Sequence, residues 1–344
     1  MGVDLADVVT QRPITLDSLA NKTLAVDAYN ALYQFLAIIR QPDGTPLKDR
    51  QGRVTSHLSG LLYRTANLCE KGIRLSFVFD GKPPELKESE IQKRRQIKQT
   101  AIIHYQRSLK EGKLEEARTY AQATSTLKDA MIDDAKTLLT AMGQPWVQAP
   151  SEGEAQASYM ASRGDVWSVA SQDHDSLLFG APRMVKNLTI TGRRKLPRRD
   201  AYVELEPELI ELPHVLQELC ITREQLIDVG ILIGTDFNAG VKGIGPKTAL
   251  KLIREYGQLE KILENDDSLE IDPNYIRARE IFIHPNVTSE YSLQWSKPDE
   301  EKIISFLCRE RAFSEDRVRK AVSRMAKVSD AKIKVGGTLE SYFL

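Results

Sequence analysis

The chain has only three cysteines, Cys69, Cys220 and Cys308, far apart and with no C-x-x-C pair. An odd, scattered set excludes a disulfide framework and a cysteine zinc site, and fits free thiols in a reducing compartment. No run approaches the roughly eighteen apolar residues that a membrane helix requires. The opening Met-Gly-Val-Asp-Leu-Ala lacks the basic and apolar segments of a secretory signal, and Ala6 stands where a myristoylation signal carries Ser or Thr. A soluble, intracellular (cytoplasmic) protein with no targeting signal and no membrane contact is expected. Charge of one sign is missing too: 48 Lys and Arg balance 48 Asp and Glu. That balance argues against a generally basic nucleic-acid binder, but it does not describe local fields. No internal repeat is visible.

What is present is an ordinary globular balance, 41% hydrophobic and 28% charged over 344 residues, enough for about two units by length alone. Four short apolar runs read as strands: Thr23 to Asp27, Leu75 to Asp80, Pro145 to Gln148 and Val166 to Ala170. The first continues into helical spacing from Ala28 to Ile39. Each run alone suits a buried helix equally well. Together, separated by helical stretches, they predict an α/β fold with a mainly parallel, twisted central sheet flanked by helices. Residues 81–110 carry eight Lys or Arg against three Glu, a local charge of plus five, and continue as polar helices to about Ala130. That stretch is too long for a simple loop, and composition alone fits a solvated helix pair. From Glu206 onward helical patterns dominate, and Lys332 to Leu344 reads as a flexible tail.

The acids lie at the ends of the expected strands. Asp27 and Asp80 close the first two, Glu152 and Glu154 follow the third, and Asp173 and Asp175 follow the fourth. In an open parallel sheet those ends share one edge, where ligands bind. Each acid also has a plain structural explanation. Ser151-Glu-Gly-Glu154 matches a capping box, Asp27, Asp173 and Asp175 suit N-caps, and Asp80-Gly81 suits a turn. Caps do not explain why every strand delivers an acid to the same edge. Two like charges 4 Å apart repel by about 4 kcal/mol at an effective dielectric of 20, so such a cluster takes up protons or cations. All-oxygen donors without His or Cys select Mg²⁺ or Mn²⁺, and carboxylate clusters hold such ions in pairs for phosphodiester chemistry. His174, between two acids on an extended segment, points away and is given no role.

Downstream, an apolar helical stretch from Leu226 to Gly234 leads through Asp236, a candidate seventh carboxylate, into Gly240-Val-Lys-Gly243-Ile-Gly245-Pro-Lys247. Gly243 and Gly245 permit a tight turn, and Pro246 suits the first position of a new helix. The free N–H groups of that helix, with Lys247 beside them, suit a backbone phosphate. A glycine-punctuated helix–turn–helix without a ligand is the plainer alternative.

In this ordered set the chain resembles, nearly end to end, the flap endonucleases of the archaeal and eukaryotic structure-specific 5′-nuclease family. The resemblance rests on Met1-Gly-Val, Val26-Asp27-Ala, Phe77-Val-Phe-Asp80-Gly-Lys-Pro-Pro and Ala149-Pro-Ser-Glu152-Gly-Glu154-Ala-Gln-Ala. It continues through Ser171-Gln-Asp173-His-Asp175, Gly234-Thr-Asp236 and Gly243-Ile-Gly-Pro-Lys-Thr-Ala. It implies a DNA endonuclease that removes 5′ flaps by two-metal hydrolysis in replication and repair. Its metal acids would be Asp27, Asp80, Glu152, Glu154, Asp173, Asp175 and Asp236, holding two Mg²⁺ with Mn²⁺ as a substitute. The basic insert would be the helical arch, with Lys87 and Arg94 facing the scissile phosphate. Tyr33 would stack on an unpaired base, Gly2 would lie near the active site and Thr55 would contact a 3′ flap. Gly243, Gly245 and Lys247 would hold the downstream duplex, and the Val241 and Ile244 carbonyls a K⁺ ion. Leu339, Tyr342 and Phe343 would plug into a sliding clamp (PCNA). The implied partner is branched DNA with a 5′ flap, bound by a monomer.

The chain departs from the family's pattern in three places. Asp49-Arg-Gln-Gly-Arg53 replaces an acidic cluster, Ala239 stands where many archaeal relatives have Pro or an acid, and Gly336 replaces the clamp peptide's leading Gln. The expected layout is a single nuclease domain over residues 1–330. Its N-terminal part covers about 1–105, the arch about 82–130, and the internal part about 131–260, with the helix–turn–helix at about 226–256. A C-terminal helical part covers about 261–330, and residues 331–344 form the tail. The rival readings are a 5′ exonuclease or ribonuclease with the same acidic cleft, and a silent clamp- and DNA-binding scaffold. The scaffold reading expects lost acids, and none is lost. Asp175 followed by Ser-Leu disfavours an aspartyl-phosphate phosphatase.

Overall fold

The computed structural model describes residues 2–41, 43–190, 192–195, 202–266 and 269–336. Leu339, Tyr342 and Phe343, expected to bind a sliding clamp, lie outside the described residues. The strands are β1 (Arg12–Pro13), β2 (Thr23–Asp27), β3 (Arg74–Phe79), β4 (Trp146–Gln148), β5 (Ser168–Ala170), β6 (Arg183–Lys186), β7 (Gly192–Lys195), β8 (Tyr202–Leu205) and β9 (Glu208–Glu211). Seven of them form one sheet in the order β1-β9-β6-β5-β2-β3-β4, and β7 pairs with β8 in a separate ribbon. The pairs β2–β3, β2–β5, β3–β4 and β5–β6 are parallel, whereas β6–β9 and β9–β1 are antiparallel. The sheet is therefore mixed, with its parallel part where the sequence placed it.

β2 and β3 form the centre because both of their faces are apolar. Leu24, Val26, Leu75, Phe77 and Phe79 enter one core, and Ala25 and Val78 enter another on the opposite face. Strands buried on both sides read as continuous apolar runs. β2 starts the switch in strand order: β3 lies on one side of it and β5, far later in the chain, on the other.

In chain order the helices are α1 (Ala28–Ile38), α2 (Ser56–Glu70), α3 (Glu88–Lys110), α4 (Leu114–Ala123), α5 (Asp129–Ala141), α6 (Gly153–Ser162) and α7 (Asp175–Leu178). They continue with α8 (Leu212–Leu219), α9 (Arg223–Ile233), α10 (Pro246–Tyr256), α11 (Leu259–Asn265), α12 (Tyr275–Ile283), α13 (Glu300–Ile304) and α14 (Glu315–Gly336). Leu32 and Phe35 of α1, Leu58 and Leu61 of α2, Leu138 of α5 and Val318 of α14 share the core on one face. α7 to α12 build a second core around Leu226, Ile231, Ile253 and Phe282.

α3 and α4 depart from this packing. Ala101 and Ser108 are the buried residues of α3, which leans on α4 through His104 stacked on Tyr120 at 4.9 Å. This antiparallel pair is the basic insert. α14 continues through Lys332 to Gly336, into the segment the sequence assigned to the tail. Nothing between Glu315 and Gly336 breaks a helix, and propagation adds a bond per residue at little cost. Among the described residues no helix is long and apolar enough to cross a membrane.

Candidate active site

The carboxyl ends of β2 to β5 bring the strand-end acids together. Asp27 ends β2 and caps α1, accepting the Asn30 N–H at 3.0 Å, so it serves as a cap and faces the cluster at once. Asp80 follows β3 and accepts the Gly153 N–H at 2.6 Å. A Cβ on Gly153 would fall 2.5 Å from that same Oδ1, so the close approach of α6 to Asp80 requires glycine. Glu152 stands at the N-cap of α6 without capping it through its side chain. The capping box suggested by Ser151 and Glu154 does not form. Ser151 donates to the Lys82 carbonyl instead, and Glu154 accepts from Ser171. Asp173 lies in the turn from β5 into α7, and Asp175, the first residue of that helix, accepts the Val3 N–H at 2.7 Å. Asp236 follows α9.

The electrostatics tie all seven acids into one field. Burial, followed by the charge of Asp80 and then that of Asp173, pushes the Asp27 carboxyl up to about 8. Burial, then Asp236 and Asp173, pushes Asp175 up to about 7 against the pull of the Val3 N–H. Glu154 is raised well above the carboxylate range by burial and by Asp173, Asp175 and Asp27. Asp80 and Glu152 are raised by burial, even with the Lys87 ammonium opposing it. Asp236 is the exception. Burial would raise it, but Lys87 and Arg94 together hold it below its usual value.

Those two cations come from the foot of the basic insert. Lys87 closes the short 3-10 turn before α3 and contacts Glu152, with Asp236 Oδ2 at 3.3 Å. Arg94, two turns into α3, reaches Asp236 Oδ1 at 2.5 Å. They neutralise one end of the cluster; among the described residues no salt bridge reaches the end formed by Asp27, Glu154, Asp173 and Asp175, on which Lys87 acts only through its field. Both cations are stabilised in charged form by the acids they meet, although burial opposes this.

The donor set fits hard divalent cations: all seven side chains offer carboxylate oxygens, and burial together with mutual repulsion favours the neutral form of several of them. Among the described residues, no three acidic, His or Cys side chains close round one point as they stand. Their oxygens are instead engaged by the backbone N–H groups of Val3, Asn30 and Gly153, by Ser171 and by the two cations. His174 is buried with its ring between the Leu5 N–H at 3.4 Å and Lys186 Nζ at 3.3 Å. Burial and Lys186 hold its pKa down to about 4, and it faces away from the acids.

The remaining expected residues surround this centre. A Cβ on Gly2 would lie 2.5 Å from Asp175 Oδ2, so the N-terminal segment passes directly over the cluster. Tyr33 is 42% exposed on α1, and Arg94 and Asp80 both act on its phenol electrostatically. Thr55 is buried and lines a different cleft, of about 240 Å³, with Lys48, Tyr63, Arg311 and Phe313. Gly243, at φ +84°, makes the turn before α10, Gly245 is its N-cap and Lys247 is exposed in its first turn. The Val241 carbonyl accepts the Ile244 N–H at 3.1 Å. Sequence reasoning passed over Asn30, Gln34 and Thr189, which back the Asp27–Asp173 side. The one available signal was Asn30, three residues after a capping Asp.

Residues 1–101 match the XPG N-terminal domain and residues 143–236 the XPG I-region. A flap endonuclease 1 of Hyperthermus butylicus is 55% identical, with 95% of each chain covered. That of Pyrococcus horikoshii is also 55% identical, covering 100% of this chain and 99% of its own. The solved flap endonuclease-1 of Methanococcus jannaschii superposes with a TM-score of 0.77 at 44% identity, over 96% of this chain and 100% of that one. The catalytic core of Rad2 in complex with DNA substrate shares the fold, with a TM-score of 0.72 at 24% identity over 94% of this chain and 100% of that one.

Proposed function

The chain belongs to the flap endonuclease family, and from that premise we propose that its seven clustered carboxylates hold a pair of Mg²⁺ ions, with Mn²⁺ able to replace them. It is a structure-specific DNA nuclease: it binds branched DNA and hydrolyses phosphodiester bonds in a metal-dependent reaction. When bound, two such ions supply an attacking water of lowered pKa and a counter-charge for the leaving 3′ oxygen. The observation that carries the assignment is the gathering of Asp27, Asp80, Glu152, Glu154, Asp173 and Asp175 at the carboxyl ends of the neighbouring strands β2 to β5, with Asp236 joined to Glu152 through Lys87.

The chain's own groups do the rest. Lys87 and Arg94 exchange Glu152 and Asp236 for the scissile phosphate, where cations stabilise developing charge. Tyr33 stacks on an unpaired base beside the cluster, and Gly2 keeps the N-terminal segment clear of Asp175. Thr55 and its cleft receive the 3′ flap. Gly243, Gly245 and Lys247 hold a phosphate of the downstream duplex at the N-terminus of α10, with K⁺ on the Val241 and Ile244 carbonyls. Leu339, Tyr342 and Phe343 engage a sliding clamp, and the enzyme works as a monomer. The product keeps its 5′-phosphate.

The test is incubation of end-labelled double-flap, nicked and single-stranded DNA with Mg²⁺, followed by sizing of the products. Cleavage should concentrate at the base of the 5′ flap. Asp80→Ala should bind the flap substrate and leave it uncut, and wild-type cleavage by that variant would overturn the metal assignment.

A further inference from the structure

Behind the carboxylates, three uncharged side chains form a row of hydrogen bonds that runs in one direction. Thr189, in the 3-10 turn Leu188–Ile190, donates its hydroxyl to Gln34 Oε1 at 2.6 Å. Gln34 Nε2 donates to Asn30 Oδ1 at 2.7 Å, and Asn30 Nδ2 points at Asp173 Oδ2 at 3.5 Å. The backbone N–H of Asn30 is already on Asp27 Oδ1. Asn30 and Gln34 are one turn apart on α1, on the same face.

The direction of the row follows from its end. An ionised carboxylate accepts and cannot donate, so Asn30 must turn its NH₂ group to Asp173 and its carbonyl to Gln34. Gln34 must then present NH₂ to Asn30 and carbonyl oxygen to Thr189, whose hydroxyl supplies the last donor. Flipping either amide would set donor against donor or acceptor against acceptor. Beside the row, a small cleft lined by Asp27, Asn30, Ser171 and Thr189 has a volume of about 10 Å³, roughly one water molecule.

We propose that Thr189, Gln34 and Asn30 are positioning residues for the divalent-cation site, fixing the Asp173 carboxylate through Oδ2 while the Asn30 backbone fixes Asp27. The inference rests on the reading that the acidic cluster holds such ions. Polar groups behind a ligand orient it, and their loss typically costs 10- to 100-fold in metal affinity. Asn30 is the contact to the ligand, and Thr189 acts through two intermediates without touching any acid.

The experiment is calorimetric titration of the DNA-free full chain with Mn²⁺, comparing wild type, Asp80→Ala, Asn30→Leu, Thr189→Val and Thr189→Ser. Asn30→Leu should weaken Mn²⁺ binding about tenfold. Thr189→Val should weaken it by a smaller factor, and Thr189→Ser, which restores the hydroxyl, should return it to wild type. A role confined to packing would change melting in chelator and leave Mn²⁺ affinity alone. Wild-type affinity in both Asn30→Leu and Thr189→Val overturns the inference, as does an equal loss in Thr189→Val and Thr189→Ser. If Asn30→Leu does not fold, the two Thr189 variants decide. If wild type shows no Mn²⁺ binding that Asp80→Ala removes, the cation reading fails and the relay falls with it. Wild-type binding that is unaltered in the relay variants refutes the relay alone.

Discussion

Removing divalent cations should make this fold lose stability as the pH rises. Asp27 is held up to about 8 and Asp175 up to about 7, against 3.8 for a free carboxyl. Between those limits the folded state binds more protons than the unfolded one, so the slope of unfolding free energy with pH is negative. The stabilising protons are all present below the unfolded value and are lost as pH climbs through 7 and then 8. Each pKa unit is worth about 1.4 kcal/mol, and because the two acids share neighbours, the combined loss is on the order of 5 kcal/mol. That is a large share of the roughly 5–15 kcal/mol that holds a domain folded. The assay is urea unfolding at about pH 5.5 and about pH 8.5, in chelator and in excess Mg²⁺. The chelated protein should show a markedly lower midpoint at the higher pH, and Mg²⁺ should restore it by taking the place of the protons. Asp27→Asn should flatten the chelated slope. Equal or greater stability of the chelated wild type at about pH 8.5 would refute the electrostatic reasoning.

Lys87→Ala should slow single-turnover cleavage by about 10²–10³-fold, the scale of a lost transition-state donor, with flap affinity nearly unchanged. A defect confined to affinity contradicts the assignment. Gly153→Ala sets a methyl group against Asp80 and should cost about 1–3 kcal/mol in unfolding experiments, and an unchanged urea midpoint would mean that α6 has room to shift. Deleting residues 336–344 should leave intrinsic nuclease activity intact and weaken stimulation by a sliding clamp, and undiminished stimulation removes the tail from clamp binding.

The placement of the acids was more legible in the sequence than the full sheet was. β2 and β3 were legible because both faces are buried, so apolar residues run without interruption. β6 and β9 were not, because Arg183-Met-Val-Lys186 and Glu208-Leu-Ile-Glu211 each carry two apolar residues between charged ends. Their pairing is supplied by the sheet they join, and that pairing makes the sheet mixed. The acids were legible because the strand ends locate them, and Asp27 acts as a cap without leaving the cluster. The failed capping box at Glu154 shows the limit of local pattern reading: Ser171, from another strand end, took the partner's place. The Thr189 relay was invisible in the chain because Thr189 and Gln34 are 155 positions apart.

The order of the strands also determines when in synthesis the proposed set of acids becomes complete. Asp27 leaves the ribosome early, its β3 neighbour follows soon after, and β5, which completes its other side, arrives about a hundred residues later still. Asp236 comes last of all. A nascent chain, or a fragment from either half, therefore carries an incomplete set of the acids proposed to hold the ions.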